Sequence, residues 1–288
     1  MKILDVSKYQ PNIDYAAAAK QIDGVILRCG YTGYGSANEC NTDPCFEKHY
    51  AGFKAAGVPV GAYYYSAADT VDKAREEAEY CKQLLAGKRF ELPIYYDVEC
   101  TQRMESLTKD QLTEQIITWC EAMEQAGYFV GVYSYTAFFQ TKLDIDQISR
   151  SYTIWLADYR QNYDRTIPRD MHQYTSAANI GGVAGGVDMS TLFRSDLPSL
   201  IANGGFNGFE GETEAPVVPL YHVTFGATSA GDKNAAVCLG EKLGLAVTAD
   251  DAGGGLYMVT YSPMTAGDKL AIQQLGEQLA VPVTVSEV

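Results

Sequence analysis

The chain has 288 residues, enough for one large domain and one small one around a sizeable core. Its formal net charge of -14 removes a nucleic-acid partner, because no basic stripe is present to meet a polyphosphate. No run of about 18 apolar residues occurs, so no membrane span is expected.

From the N-terminus, short apolar runs alternate with helical patterns. Strands are expected at Lys2–Val6, Gly24–Cys29, Val58–Tyr65, Leu92–Val98, Phe129–Tyr133, Thr153–Ala157 and Met171–Tyr174. Between them, Pro44–Ala56 carries Phe46, Tyr50 and Phe53 near helical spacing. Thr70–Ala86 is charged on one face, with Ala78, Cys81 and Leu85 on the other. Thr108–Ala126 opens with Thr108-Lys-Asp-Gln111, a capping-box start. This alternation over residues 1–203 predicts an α/β fold, an irregular β/α barrel of TIM-like type.

Residues 204–219 are rich in Gly, Glu and Pro and read as a linker. Residues 220–288 hold a duplication in which every pair is offset by 36. Tyr221-His-Val-Thr-Phe225 recurs as Tyr257-Met-Val-Thr-Tyr261, and Ala230-Gly-Asp-Lys233 as Ala266-Gly-Asp-Lys269. Leu239-Gly-Glu-Lys-Leu243 recurs as Leu275-Gly-Glu-Gln-Leu279. Each copy reads as strand, helix, strand, the third element lying around Leu245–Thr248. Two copies give the βαββαβ order of a small α+β ferredoxin-like domain.

The chemistry centres on Phe90-Glu-Leu-Pro-Ile-Tyr-Tyr-Asp97-Val-Glu99. In a strand, carboxylates at i and i+2 leave the same face, with Cα atoms about 6–7 Å apart. Held that close, they repel when both are ionised, so one keeps a proton near neutral pH. Glycosidases use that pairing, although a metal site or a solvated strand end would also explain it. Asp5, Asp158 and Asp188 each end a segment, and a shared barrel would bring those ends to one mouth with Tyr63, Tyr65, Tyr133, Trp155, Tyr159 and Tyr174. The 21 tyrosines suit sugar rings as well as cores. Acids and aromatics without histidine describe a sugar site. The bland alternatives stay open: Asp5 and Asp188 as turn caps, Asp158 likewise, Trp155 and Tyr159 as packing, and Gln10 and Gln173 as partners of buried backbone. His49, His172 and His222 lack metal-ligand spacing, no CxxC pair occurs and no G-x-S-x-G is present, so neither a metal, another cofactor nor a serine-hydrolase triad is implied. Of the seven cysteines, Cys81, Cys100 and Cys120 read as small buried hydrophobes. Cys40 and Cys45 flank a loop, and their pairing is open.

Residues 1 to about 195 resemble the glycoside hydrolase family 25 lysozymes, the Chalaropsis-type muramidases common among phage endolysins. The likeness rests on Asp5-Val-Ser-x-x-Gln10, Ile13-Asp14, Phe53-Lys-Ala-Ala-Gly-Val-Pro-Val-Gly-Ala-Tyr63 and Leu92-Pro-x-x-x-Asp97-Val-Glu99. Further on it includes Gly131-Val-Tyr-Ser134, Ile154-Trp-Leu-Ala-Asp-Tyr159, Gln173-Tyr174-Thr175 and Val187-Asp188. The resemblance implies hydrolysis of peptidoglycan at the β-1,4 bond from N-acetylmuramic acid to N-acetylglucosamine. Glu99 then matches the proton donor, and Asp97 its partner, stabilising the cationic centre or the 2-acetamido group. Asp5 and Asp188 match the outer acids, and Tyr63 a sugar contact. His172 and Tyr64 depart from the family's usual Trp and His, which bears on subsite preference. A non-catalytic glycan-binding barrel and a chitinase-type glycosidase are the alternatives; the latter lacks its further Asp residues, Leu92 and Tyr95 standing at those places. Residues 220–288 resemble a SPOR-type glycan-binding repeat, implying attachment to the wall, with a dimerisation or spacer role as the alternative. Met1-Lys2 leads at once into Ile3-Leu4-Asp5-Val6, with no charged and apolar leader pattern expected there. The chain is therefore expected to be made in the cytosol and to reach the wall through a holin pore, or by export with a leader removed.

Overall fold

The computed structural model describes residues 1–33, 38–99, 101–210, 221–264 and 266–287. Its residues fall into two compact units, Met1–Glu212 and Thr213–Val288.

In the first unit, the elements run in this order: β1 (Lys2–Val6), α1 (Tyr15–Ala19), β2 (Gly24–Thr32), β3 (Cys40–Thr42), α2 (Phe46–Ala55), β4 (Val60–Ser66), α3 (Val71–Leu85), β5 (Ile94–Val98) and α4 (Lys109–Glu124). There follow β6 (Val130–Tyr135), α5 (Thr136–Lys142), α6 (Ile145–Ile148), β7 (Thr153–Ala157), β8 (Met171–Ala178), β9 (Val187–Leu192) and α7 (Leu197–Asn203). The barrel circuit is β1-β2-β4-β5-β6-β7-β8-β9 and back to β1, and β3 extends β2 outside it. Every neighbour around the circuit is parallel except β9, which runs antiparallel to both β8 and β1. The α/β barrel expected from strand–helix alternation is therefore present, as a mixed barrel. Neither β3 nor β9 announces itself in sequence: one is three residues long, and the other is interrupted by polar residues.

Two apolar layers hold this unit. Inside the barrel, Ile3, Ile26, Leu92, Tyr95, Trp155, Met171 and Leu192 fill the lower half. Between barrel and helices lies the larger core, including Leu27, Phe53, Leu85, Tyr96, Ile116 and Trp119. Space inside is tight: a Cβ on Gly131 would stand 2.5 Å from the Tyr95 ring. Helix starts follow their signals. Thr70 caps α3, and Thr108 with Gln111 forms the reciprocal capping box of α4. The face of α3 that packs on the barrel holds one full carboxyl, Glu77, which accepts hydrogen bonds from Thr32, from Tyr96 Oη at 2.6 Å and from the Ala67 N–H at 3.2 Å. Burial raises its pKa. It fastens the ends of β2, β4 and β5 to one helix.

The expected linker starts too early. Residues 204–209 turn back onto the barrel, and Asn207 is buried there. Its Oδ1 accepts from the Phe129 N–H at 2.8 Å, and its Nδ2 donates to the Leu92 carbonyl at 3.0 Å. Gly-rich composition here serves a tight return with positive φ at Gly205, Asn207 and Gly208, not a free tether. The remainder of that stretch, 211–219, lies outside the described residues, as does Cys100. Cys81 and Cys120 are buried as expected, and Cys40 and Cys45 are free thiols. Among the described residues, no helix is long and apolar enough to cross a membrane.

The second unit comprises β10 (Tyr221–Thr228), α8 (Ala230–Lys242), β11 (Val247–Gly253), β12 (Leu256–Tyr261), α9 (Ala266–Leu279) and β13 (Val283–Glu287). Its sheet order, β11-β12-β10-β13, is that of the ferredoxin-like arrangement, with every pair antiparallel. Val223, Phe225, Val259, Tyr261 and Ile272 form its core. The 36-residue repeat explains two paired details. A Cβ on Gly240 would meet Val247 Cγ2 at 2.4 Å, and one on Gly276 would meet Val283 Cγ2 at 2.3 Å, so both glycines let a helix approach the following strand. Lys233 lies over the Tyr257 ring at 4.2 Å and Lys269 over the Tyr221 ring at 3.7 Å, so each copy's lysine covers the other copy's tyrosine.

Candidate active site

Period-two alternation sets the contents of the barrel mouth. On six of the seven parallel strands, all but β7, an inward residue low in the barrel is followed two positions on by an inward functional one: Ile3 by Asp5, Ile26 by Arg28, Gly61 by Tyr63, Tyr95 by Asp97, Gly131 by Tyr133, and Met171 by Gln173. On β9 the direction reverses. Asp188 stands second in that strand rather than ending a segment, and because the strand is antiparallel its beginning lies at the mouth.

Asp5 and Asp188 are direct cross-strand partners. Two like charges so placed are unfavourable. Burial, and then the Asp188 charge, hold the Asp5 carboxyl well above the usual range; burial raises the Asp188 pKa too, and its contact with Asp5 opposes that rise. Gln173 Nε2 donates to Asp5 Oδ2 at 3.1 Å, while Gln173 Oε1 accepts from Tyr133 Oη at 2.9 Å and Tyr159 Oη at 2.8 Å. One amide thus orients an acid and two phenols.

Asp97 is buried, and its Oδ1 has no hydrogen-bond partner. An unpaired buried carboxylate oxygen is costly unless the group is protonated or meets a ligand. Burial raises the Asp97 pKa strongly, Glu99 and Asp5 add to it, and Arg28 opposes it. Glu99 stands one residue beyond the end of β5 and is less enclosed; burial, then Asp188, raises its pKa as well. Both carboxyls are thus held above the ordinary carboxylate range, Asp97 in part by the charge of Glu99.

Glu99 lies where cavities meet. One, of about 370 Å³, is walled by Tyr133, Tyr135, Ala157, Asp158 and Tyr159. Another, of about 220 Å³, is walled by Asp5, Tyr9, Gln10, Arg28, Tyr63 and Tyr65, with Asp97 and Asp188. A small recess of about 90 Å³ beneath them reaches Trp155.

Several expected contacts fall differently. Trp155 is 2 % exposed, meets Tyr63 and Tyr133 edge to face and Tyr95 at a tilt, and donates from Nε1 to Ser190 Oγ at 3.0 Å, so it floors the site rather than offering a platform. The Asp158 carboxylate is taken up by Thr136 and by the backbone and guanidinium of Arg160; those bonds hold its pKa low and brace the cavity wall. Tyr174 does not reach the mouth. Gln173 points inward, so the next side chain points outward, where Tyr174 borders a separate surface hollow with Gln21 and Ile180. Tyr159 stays 53 % exposed beside Glu99.

The sequence reading missed Tyr9, Arg28 and Asp43. The available signal was an arginine inside the apolar run Gly24–Thr32, which needs a buried partner. That partner is Asp43, whose Oδ2 accepts from Arg28 Nε at 2.7 Å.

A profile described as "Glycosyl hydrolases family 25" matches residues 4–183. The chain belongs to that family. Asp5, Asp97, Glu99 and Gln173 lie within the matched span, and Asp188 just past it. The autolytic lysozyme of Clostridium acetobutylicum is 25% identical over 202 residues, 68% of this chain and 57% of that protein. The modular autolysin LytC of Streptococcus pneumoniae, solved also in complex with a synthetic peptidoglycan ligand, is 29% identical with a TM-score of 0.57. That match covers 66% of this chain and 46% of LytC. The Clostridium perfringens spore cortex lytic enzyme SleM shares the fold at 18% identity and a TM-score of 0.59, over 91% of this chain and 76% of its own. The chain spans about half the length of the first two relatives.

Proposed function

We propose that the chain is a lysozyme, hydrolysing peptidoglycan at the β-1,4 bond between N-acetylmuramic acid and N-acetylglucosamine. The observation that carries this reading is the Asp97–Glu99 pair: two carboxyls with raised pKa at the junction of two cavities, one oxygen unpartnered. Family membership and the relatives' descriptions support the same activity.

In this reading a glycan strand lies across the mouth with its scissile oxygen at Glu99. Glu99 holds the proton and passes it to the leaving oxygen. Asp97, lower in the barrel, faces the positive charge that develops at the sugar carbon, directly or through the 2-acetamido group. Asp5 and Asp188 share a proton beside it and, with Gln173, keep negative charge available without full mutual repulsion. No step calls for a metal or cofactor. Residues 220–288 attach the enzyme to the wall, and self-association is the alternative. With Lys233 and Lys269 over tyrosine rings and acids in excess of lysines, that attachment proceeds by hydrogen bonding and stacking. The site of action is the wall, reached by holin release or export.

The test is Glu99→Gln. It removes the titratable proton and keeps the shape. Clearing of Gram-positive wall suspensions is expected to fall by about 10²–10⁴-fold, the worth of general acid catalysis. Mass spectrometry of wild-type digests is expected to show muramic acid at the reducing end. Wild-type-like clearing by Glu99→Gln, or glucosamine at that end, defeats the proposal. Binding without any cleavage by the unsubstituted chain would make it a glycan-binding barrel. For residues 220–288, retention of the full chain on sacculi should exceed that of a chain ending at 212.

A further inference from the structure

We propose that Tyr9 is a sugar-stacking platform on the side of Glu99 opposite Tyr159, binding the apolar face of a pyranose ring of the glycan strand. This rests on the glycan-binding reading above and assigns a subsite to it.

Tyr9 is 66 % exposed, the most of the large aromatic and aliphatic side chains that stand out at the surface among the described residues. It sits at the tip of a tight turn. The Gln10 N–H donates to the Ser7 carbonyl at 3.0 Å, and the Ser7 N–H donates to Gln10 Oε1 at 3.1 Å, closing the turn from both ends. Gln10 therefore shapes the loop that carries the ring.

The ring does not depend on a ligand for its orientation. The Arg28 guanidinium carbon lies 5.2 Å from its centroid and Lys8 Nζ 5.6 Å. Both attractions are of the cation–ring kind. Arg28 is itself held by the buried Asp43 carboxylate, which also accepts from the Lys8 N–H at 3.0 Å and the Cys45 N–H at 2.9 Å. One carboxylate thus ties the Tyr9 turn, β2 and the start of α2 into a single rigid corner. An exposed aromatic ring held this way loses little freedom on binding, and that preorganisation favours affinity.

Position supplies the second argument. Tyr9 walls the cavity that contains Asp5, Asp97 and Asp188, while Tyr159 walls the neighbouring one; Glu99 borders both. A glycan strand crossing Glu99 then has one ring over Tyr9 and another beside Tyr159. The rings would lie on opposite sides of the cleaved bond.

The test uses the full chain and purified, peptide-free peptidoglycan glycan strands as the probe. Binding is measured calorimetrically in a Glu99→Gln background, with and without Tyr9→Ala, and steady-state hydrolysis is measured with Glu99 present. Tyr9→Ala is expected to weaken Kd about tenfold, equivalent to ~1.4 kcal/mol, and to raise KM by a similar factor while kcat stays within about twofold, since the contact is the same in ground and transition states. Tyr9→Phe keeps the ring and should restore both. An unchanged Kd for a folded Tyr9→Ala chain overturns the proposal, as does failure of the unsubstituted chain to bind the strands. A Kd that rises in a chain showing no hydrolysis overturns the enzymatic reading and leaves this one standing.

Discussion

Asn207→Ala tests whether residues 204–209 belong to the barrel. The substitution removes an amide that satisfies two buried backbone groups, the Phe129 N–H and the Leu92 carbonyl. Each group left without a partner costs about 1–3 kcal/mol. Asn207 also has φ 55, where a Cβ other than that of Asn or Asp is penalised by about 1 kcal/mol. Partial relaxation and water entry reduce the sum, and a loss of about 3–4 kcal/mol is expected. For a unit of this size that is a fall in Tm of about 10 °C. Asn207→Gly deletes the same amide without the backbone penalty and should recover about 1 kcal/mol of it. Both tryptophans, Trp119 and Trp155, are buried in the first unit, so denaturation followed by tryptophan-selective fluorescence reports that unit and not the tyrosines of the second. A loss below about 1 kcal/mol for Asn207→Ala would show that the segment is a tether after all, and that its packing adds nothing.

Asp97→Asn should abolish turnover and yet raise the barrel's Tm at neutral pH. The folded-state pKa of Asp97 is raised, so its contribution is fully present below the unfolded value near 4 and is lost as pH rises through the folded value. Melting curves across pH should therefore diverge upward from about pH 4, and curves that stay parallel contradict the burial argument. Gln173→Ala strips two phenols of their acceptor and Asp5 of a donor that favours its ionised form. Leaving the Tyr133 hydroxyl unsatisfied should cost about 1–3 kcal/mol in denaturant unfolding. The acid limb of the pH–rate profile should move to higher pH, and an unmoved limb would mean that Asp5 ionisation does not limit catalysis.

Much of this molecule could be read along the chain. Strand and helix periods placed β1, β7, α3 and α4 within a residue or two, since each buries one continuous face and α4 carries its own capping box. The 36-residue repeat disclosed the ferredoxin-like unit, because identical glycines and lysines must serve identical packing. The spacing of Asp97 and Glu99 on one segment pointed to their shared cavity, a local geometry of two residues.

Other features depend on residues far apart in sequence and only tertiary structure decides them. The direction of β9 places Asp188 opposite Asp5, and nothing local to Val187–Leu192 states that direction. Whether Gln173 or Tyr174 faces the mouth turns on strand register, where one residue's slip exchanges the two. Arg28 becomes a groove residue only because Asp43, fifteen positions on, is brought beneath it. Asn207 looks like linker composition until it meets Leu92 and Phe129. Sequence determines which faces are apolar and where a period breaks. Long-range burial determines which polar side chains share a cavity, since the cost of hiding a charge is met by partners that the chain supplies from elsewhere.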